Sequence, residues 1–120
     1  MSNKNLIIIG SLWMALGVGI GAFGAHGLEP ILEANDRVDT YETAVLYHFM
    51  HAFAIIILGV SNIKKSNVPS TLFSVGIVCF SGSLYTLSLT NVLWLGAVAP
   101  IGGSAFIVGW ILLAWQAYKN

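Results

Sequence analysis

Three stretches of this chain carry no charged side chain at all: residues 5–28, 43–63 and 66–118. Each of the first two has the length of one helix crossing a bilayer, for which ~20 apolar residues suffice. The third is too long for one crossing and suits two, with a turn near Ser88–Asn91. Only 8% of the 120 residues are charged and 57% are hydrophobic, with a mean hydropathy of +0.82. A water-soluble domain carries roughly 25% charged residues. So much apolar surface must face lipid rather than water. The chain therefore reads as all-α, a four-helix transmembrane bundle forming one domain over 1–120. Its spans are expected at about 6–26, 40–61, 71–89 and 93–118.

The few charges are segregated. All five acids, Glu29, Glu33, Asp36, Asp39 and Glu42, lie in the first connection. Four of the five bases, Lys4, Lys64, Lys65 and Lys119, lie where a four-span chain returns to one side. Basic residues mark the cytoplasmic side of a membrane protein. Both termini are thus expected in the cytoplasm and the acidic connection outside, with Arg37 the one base on the far side. The expected location is the bacterial plasma (inner) membrane, as a multi-pass protein. A cleaved signal peptide is the competing reading of the first 26 residues; three further spans weigh against it. The lone Cys79 falls within the third span and can form no intrachain disulfide. The chain shows no phosphate-binding glycine loop with a charged partner, no CxxC pair and no HExxH. It has no basic patch suited to nucleic acid.

Glycines suggest how the helices meet. Gly17 and Gly21 form a GxxxG, with Gly24 close by, and Gly102, Ala105 and Gly109 share a face of the last helix. Small residues at such spacing let helix backbones approach closely. Packing within the chain is the plain reading, and a homo-oligomer interface the sharper one. In the acidic connection, Leu28, Ile31 and Leu32 fit one face of a short helix starting at Pro30. Asp39 and Glu42 are spaced as N-cap and N3 of a capping box for the second span. Pro100 either kinks the last helix or starts it after a non-helical entry. A kink repaired by neighbouring helices is the preferred reading, and a break at 96–103 that frees carbonyls for a ligand is its alternative.

The uncharged polar residues suggest a candidate pocket. His26 ends the first helix; His48 and His51 are three apart on one face of the second. With Ser81 and Tyr85 of the third span, and Pro100, Gly102 and Gly103 of the fourth, they are expected to gather in the outer half of the bundle. Imidazole inside a membrane is costly unless paired. The plain reading is neutral histidine hydrogen-bonded to hydroxyls or carbonyls. A zinc, copper or haem site using His26, His48 and His51 is one alternative; a proton- or ligand-responsive pocket is another. No catalytic residue and no cofactor are predicted. Trp94 is expected at the outer boundary, and Trp110 and Trp115 at the inner one, as an aromatic belt without a binding role.

Four ordered motifs, "GAFGAHGL" from Gly21, "YETAVLYHFMHAFAIIILG" from Tyr41, "SGSLYTLSL" from Ser81 and "APIGGSAFIVGW" from Ala99, resemble the YgdD/YwdK-like family of small bacterial inner-membrane proteins. The similarity covers nearly the whole chain. It implies a four-helix membrane protein of unassigned function and supplies no catalytic residues. It also implies that His26 and His51 match family histidines, and that glutamine often stands where this chain has His48. Glutamine is a poor metal ligand but can share a hydrogen-bonding role. The expected function is accordingly a membrane protein whose polar pocket is structural or takes a lipid or small molecule. A metal- or haem-binding protein and an oligomeric channel or transporter subunit are the alternatives. Its expected partners are the lipid bilayer and, on the glycine faces, a second copy of itself.

Overall fold

A computed structural model describes residues 3–120. Six α-helices follow one another: α1 Asn3–Ala25, α2 Glu29–Ala34, α3 Val38–Val60, α4 Asn67–Gly76, α5 Gly82–Thr90 and α6 Ala99–Lys119. A π-helical turn, Ile77–Ser81, joins α4 to α5 without a break, and a 3₁₀ turn, Leu93–Ala97, leads into α6. No strand occurs among the described residues. Four helical rods are long and apolar enough to cross a membrane: Lys4–Ala25, Val38–Val60, Asn67–Thr90 and Leu93–Lys119. At 1.5 Å per residue the 23-residue α3 is ~35 Å long. That length exceeds a hydrocarbon core of about 30 Å. The large side chains left exposed, such as Leu12, Phe53, Ile57 and Ile107, are those a lipid-facing surface requires.

Two antiparallel zippers hold the rods together. Along α1, a Cβ on Gly10 would meet Ile56 and the carbonyl of Ala52, and one on Gly17 would meet Phe49 and His48. One on Gly21 would rest 3.5 Å from Val45, and one on Gly24 would strike the ring of Tyr41. The partners fall steadily from 56 to 41 as α1 rises, so α1 lies glycine-first against α3. The second zipper joins α6 to the third rod: Gly109 packs on Phe73, Phe106 on Gly76, and Gly102 on the backbone of Cys79 and Phe80. Without a hydrophobic drive between helices in lipid, such close approach supplies the dispersion contacts that hold a bundle. The glycine faces are thus consumed inside the chain. The core between the zippers is built of Leu6, Ile55, Leu58, Phe73, Ile77 and Phe106.

Several boundaries differ from the sequence expectations. The third rod begins at Asn67, ahead of Pro69, because a proline in the first turn removes only an N–H that no helical carbonyl would receive. The last helix does not kink at Pro100; it starts at Ala99 with the proline in its first turn. In the entry before it, Leu95, Val98 and Ile101 donate to the carbonyls of Val92, Leu95 and Val98. The capping box does not form. Arg37 is the N-cap of α3, no side chain caps it, and Asp39 already lies in the first helical turn. There the carboxylate still faces the positive end of the helix. In α2, Leu32 is buried but Ile31 is exposed.

Each end of the bundle is tied by polar contacts between connections. At the acidic end, Asn35 Nδ2 donates to the carbonyl of Ser88 at 3.0 Å and Arg37 Nε to Asn91 Oδ1 at 3.1 Å. Asn91 takes the left-handed conformation (φ 57°) that lets α5 turn back toward α6. At the other end, Lys64 N–H donates to Asn120 Oδ1 at 3.1 Å. Glu33 and Lys64 therefore lie at opposite ends.

The zippers predict opposite outcomes for two glycines. Gly102→Ala drives a methyl into backbone of the π turn, which no side-chain rotation relieves, and should cost about 1–3 kcal/mol. Gly19 faces open space, so Gly19→Ala should leave the thermal midpoint in detergent unchanged or raised. Equal effects of the two substitutions would contradict the packing.

Candidate functional site

Two imidazoles lie at the centre of the bundle. The midpoint of α3 is Phe49, and His48 and His51 flank it within two residues. Both are buried, at 1% and 2% exposure. His48 Nδ1 is 2.8 Å from Tyr85 Oη and its Nε2 is 2.8 Å from the carbonyl of Trp13. His51 Nδ1 is 2.7 Å from the carbonyl of Tyr47, and Trp110 Nε1 donates to His51 Nε2 at 2.9 Å.

The partners fix the tautomers. A carbonyl oxygen only accepts, so His48 carries a proton on Nε2; in the neutral ring Nδ1 is then an acceptor and takes the Tyr85 O–H, with the Ala44 carbonyl, 3.4 Å from that hydroxyl, as a longer second acceptor. An indole N–H only donates, so His51 carries its proton on Nδ1 and offers Nε2 as acceptor. As neutral rings the two take opposite tautomers, and every ring nitrogen has a partner. A proton added to His51 would set two N–H donors face to face. Gly17 leaves room for the first arrangement: a Cβ there would lie 3.3 Å from His48 Nε2 and Cδ2 and 3.0 Å from the ring of Phe49.

Aromatic rings pack against both imidazoles. Phe106 stacks flat on His51, with centroids 3.5 Å apart and planes 9° apart, and Phe73 covers it at 5.3 Å. Trp13 meets His48 edge-on at 5.6 Å while its own Nε1 donates to Ser74 Oγ at 3.1 Å. Ser81 Oγ donates to the carbonyl of Ala44 at 2.7 Å, one turn before His48.

Of the residues singled out from the sequence, the fold brings together His48, Ser81 and Tyr85, beside the first turns after Tyr41. His51 lies one turn deeper, on the α6 side. His26 is not among them: it follows the last residue of α1 and is exposed. The three histidines thus occupy two depths instead of a shared outer one. Ten residues of α3 rise ~15 Å, half the hydrocarbon thickness, so a histidine ten residues into the helix is already at the midplane. Pro100 is exposed at the start of α6, and Gly102 and Gly103 touch Phe80 rather than an imidazole. Trp110 is a further correction: it sits beside Gly109, the midpoint of α6, and bonds His51, not the inner membrane boundary. Trp13 was invisible as a partner because it acts through its main-chain oxygen. Trp110 had a legible signal, since an indole N–H at mid-membrane has no water to satisfy it.

The donor accounting bears on metals. Both lone pairs that His48 and His51 could offer a metal are taken by Tyr85 and Trp110. Among the described residues no three His, Cys, Asp or Glu side chains gather at one point. The seam fits a hydrogen-bonded lock between the helices.

A half-open groove of about 360 Å³ runs between α1, α2 and α3 at the acidic end. Gly21 and Gly24 form its floor, Leu32 of α2 overhangs it, and Val45 and Phe49 form its wall. Its polar lining is Glu42, which is exposed, and Tyr41, whose hydroxyl is already donated to the carbonyl of Ile20 at 2.6 Å.

Four apolar rods, glycine zippers and a neutral imidazole seam define a polytopic α-helical membrane protein. The chain belongs to the family described as "Protein of unknown function (DUF423)", whose model matches residues 20–103. It is 44% identical over 119 residues to a UPF0382 membrane protein of Staphylococcus haemolyticus, covering 97% of each chain. It is 42% identical over 121 residues to UPF0382 membrane protein YwdK of Bacillus subtilis, covering 97% of this chain and 98% of that one. A UPF0382 membrane protein of Staphylococcus epidermidis is 45% identical over 119 residues, with 97% of each covered. No solved structure matches the chain.

The seam predicts a graded series at position 48. His48→Ala takes the imidazole from between the Trp13 carbonyl and the Tyr85 hydroxyl, leaves that hydroxyl only the longer contact to the Ala44 carbonyl, and opens a void, and should cost about 2–4 kcal/mol. His48→Gln keeps an amide N–H for the Trp13 carbonyl and an amide oxygen for Tyr85, and should cost under about 1.5 kcal/mol. Unfolding in a mixed-detergent titration reads both; a glutamine variant as unstable as the alanine one would remove the hydrogen bonds from the account.

Proposed function

We propose that this protein is a plasma-membrane protein, both termini cytoplasmic, whose acidic outer end holds a membrane lipid by one acyl chain. The observation that carries the reading is the groove at Gly21, Gly24, Val45 and Phe49. It lies along the upper part of two membrane-spanning helices, so its surroundings are lipid, and its lining is almost wholly hydrocarbon. Glu42 at its mouth and Asp39 one turn above favour an ammonium headgroup over an anionic one. The orientation rests on Lys4, Lys64, Lys65 and Lys119 at one end against Arg37 at the other. The central seam supports this role mechanically: α1 and α3, which form the groove walls, are bound to each other through His48 and Trp13.

Native mass spectrometry of the protein released from nanodiscs tests the reading. With equal phosphatidylethanolamine and phosphatidylglycerol supplied, the wild type should retain phosphatidylethanolamine. Val45→Trp, which fills the groove, should lose the lipid. Glu42→Gln, which leaves the groove open, should lose only the headgroup preference. Retention unaffected by both substitutions would contradict the proposal.

A further inference from the structure

We infer that His48 is a proton-binding site within the membrane, and that the two central imidazoles differ in kind: His48 can become imidazolium with every hydrogen bond kept, and His51 cannot. The difference lies in their partners. Each ring donates one N–H to a carbonyl, His48 to that of Trp13 and His51 to that of Tyr47. The other nitrogen of His51 accepts from Trp110 Nε1 at 2.9 Å, and an indole has a donor but no acceptor. A proton there would set two N–H groups against each other, so charging His51 breaks its tie to α6. The other nitrogen of His48 faces Tyr85 Oη at 2.8 Å, and a phenol hydroxyl both donates and accepts.

The Tyr85 hydroxyl has a second place for its hydrogen. Its oxygen also lies 3.4 Å from the carbonyl of Ala44. When hydronium delivers a proton to His48 Nδ1, the new N–H donates to Tyr85 Oη. Tyr85 keeps its own hydrogen and turns it to the Ala44 carbonyl, and no covalent bond of the protein breaks. That carbonyl is shared, since Ser81 Oγ donates to it at 2.7 Å. The imidazolium then has an oxygen at each end, both 2.8 Å away. A charged ring inside a membrane is costly, and hydrogen bonds from an ionised donor are roughly twice as strong as neutral ones. Two such bonds at His48, against one at His51, make the cost lower at His48.

No fixed charge decides the matter. The rings against His48 are Trp13 from α1, Tyr85 from α5 and Phe49 from its own helix. Tyr85 is the titratable one, with Tyr41 behind it at 5.3 Å between ring centroids. Residues 5–28, 43–63 and 66–118 hold no Asp, Glu, Lys or Arg, so nothing charged in the spans favours or opposes the proton. The acidic-end groove comes close to the site: Tyr41 and Phe49 both line it, and Phe49 lies 6.2 Å from the His48 ring.

Nitrogen-15 NMR of histidine-labelled protein in nanodiscs, followed from about pH 8 to about pH 4, reads both rings. His48→Gln and His51→Gln assign the signals. As the pH falls, His48 should charge first, with a proton affinity about tenfold or more above that of His51. Tyr85→Phe deletes the one partner that can reverse its role, and should lower proton uptake at His48 about tenfold. Trp110→Phe deletes the opposed donor, and should raise uptake at His51. The two variants act on different rings, so failure of one to fold leaves the other as the test. His51 charging with or before His48 would overturn the inference. So would a His48 titration unchanged by Tyr85→Phe, or acid unfolding of the wild type before either ring charges.

Discussion

In hydrocarbon an N–H or O–H without a partner costs several kcal/mol, because no water stands ready to replace a lost bond. The centre of this bundle is organised by that constraint. Tyr85 gives its proton to His48, His48 gives its own to the Trp13 carbonyl, Trp110 donates to His51, and His51 donates to the Tyr47 carbonyl. Each imidazole thereby joins α3 to a different rod: His48 to α1 and α5, His51 to α6. Apolar side chains alone could not select this arrangement, since lipid tails solvate leucine as well as another helix does. Hydrogen bonds that exist only in one register can.

The glycine zippers and the seam depend on each other. His48 reaches the carbonyl of Trp13 beside position 17, where a Cβ would crowd its ring at 3.3 Å, and α1 comes that close because a Cβ at position 10 or 24 would collide with Ile56 or Tyr41. On the other side, Gly102 lies directly on the backbone of the π turn Ile77–Ser81, and the same turn carries Ser81, which bonds the carbonyl of Ala44. Such turns recur at places where a helix must re-aim its side chains. Here the re-aimed face serves α3 while the opposite face admits α6.

Much of the architecture was legible from charge and hydropathy alone. The charge-free windows give the rods because burying a Lys or Glu in lipid is so costly that its absence over ~20 residues is informative by itself. The site was only partly legible. His48, Ser81 and Tyr85 share a neighbourhood because their spacing survives into the helices. His26 is absent from it because α1 ends one residue earlier. The bond of Trp13 to His48 could not be found from sequence, as it uses a main-chain oxygen that any residue possesses, although its mid-helix indole, bonded to Ser74, carried the same signal as Trp110. The groove and a cleft at the basic end, lined by Lys64, Lys65 and Lys119, are products of tertiary packing, formed where rods diverge toward the ends of the bundle, and no local pattern encodes them. The resemblance of the four motifs to a known family was confirmed over nearly the full chain, and that family is one of unknown function.

The molecule therefore combines a hydrogen-bonded centre with two ends of opposite charge, each offering a cleft to its own surroundings. The claim on which this picture rests is the tautomer pair at the centre, and nitrogen-15 NMR of histidine-labelled protein in nanodiscs reads it directly. Two rings should appear neutral, one protonated at Nε2 and the other at Nδ1, each with a slowly exchanging proton, beside a third, solvent-exposed ring from His26. Two central rings in the same tautomer, or either of them exchanging protons with water as freely as His26, would contradict it.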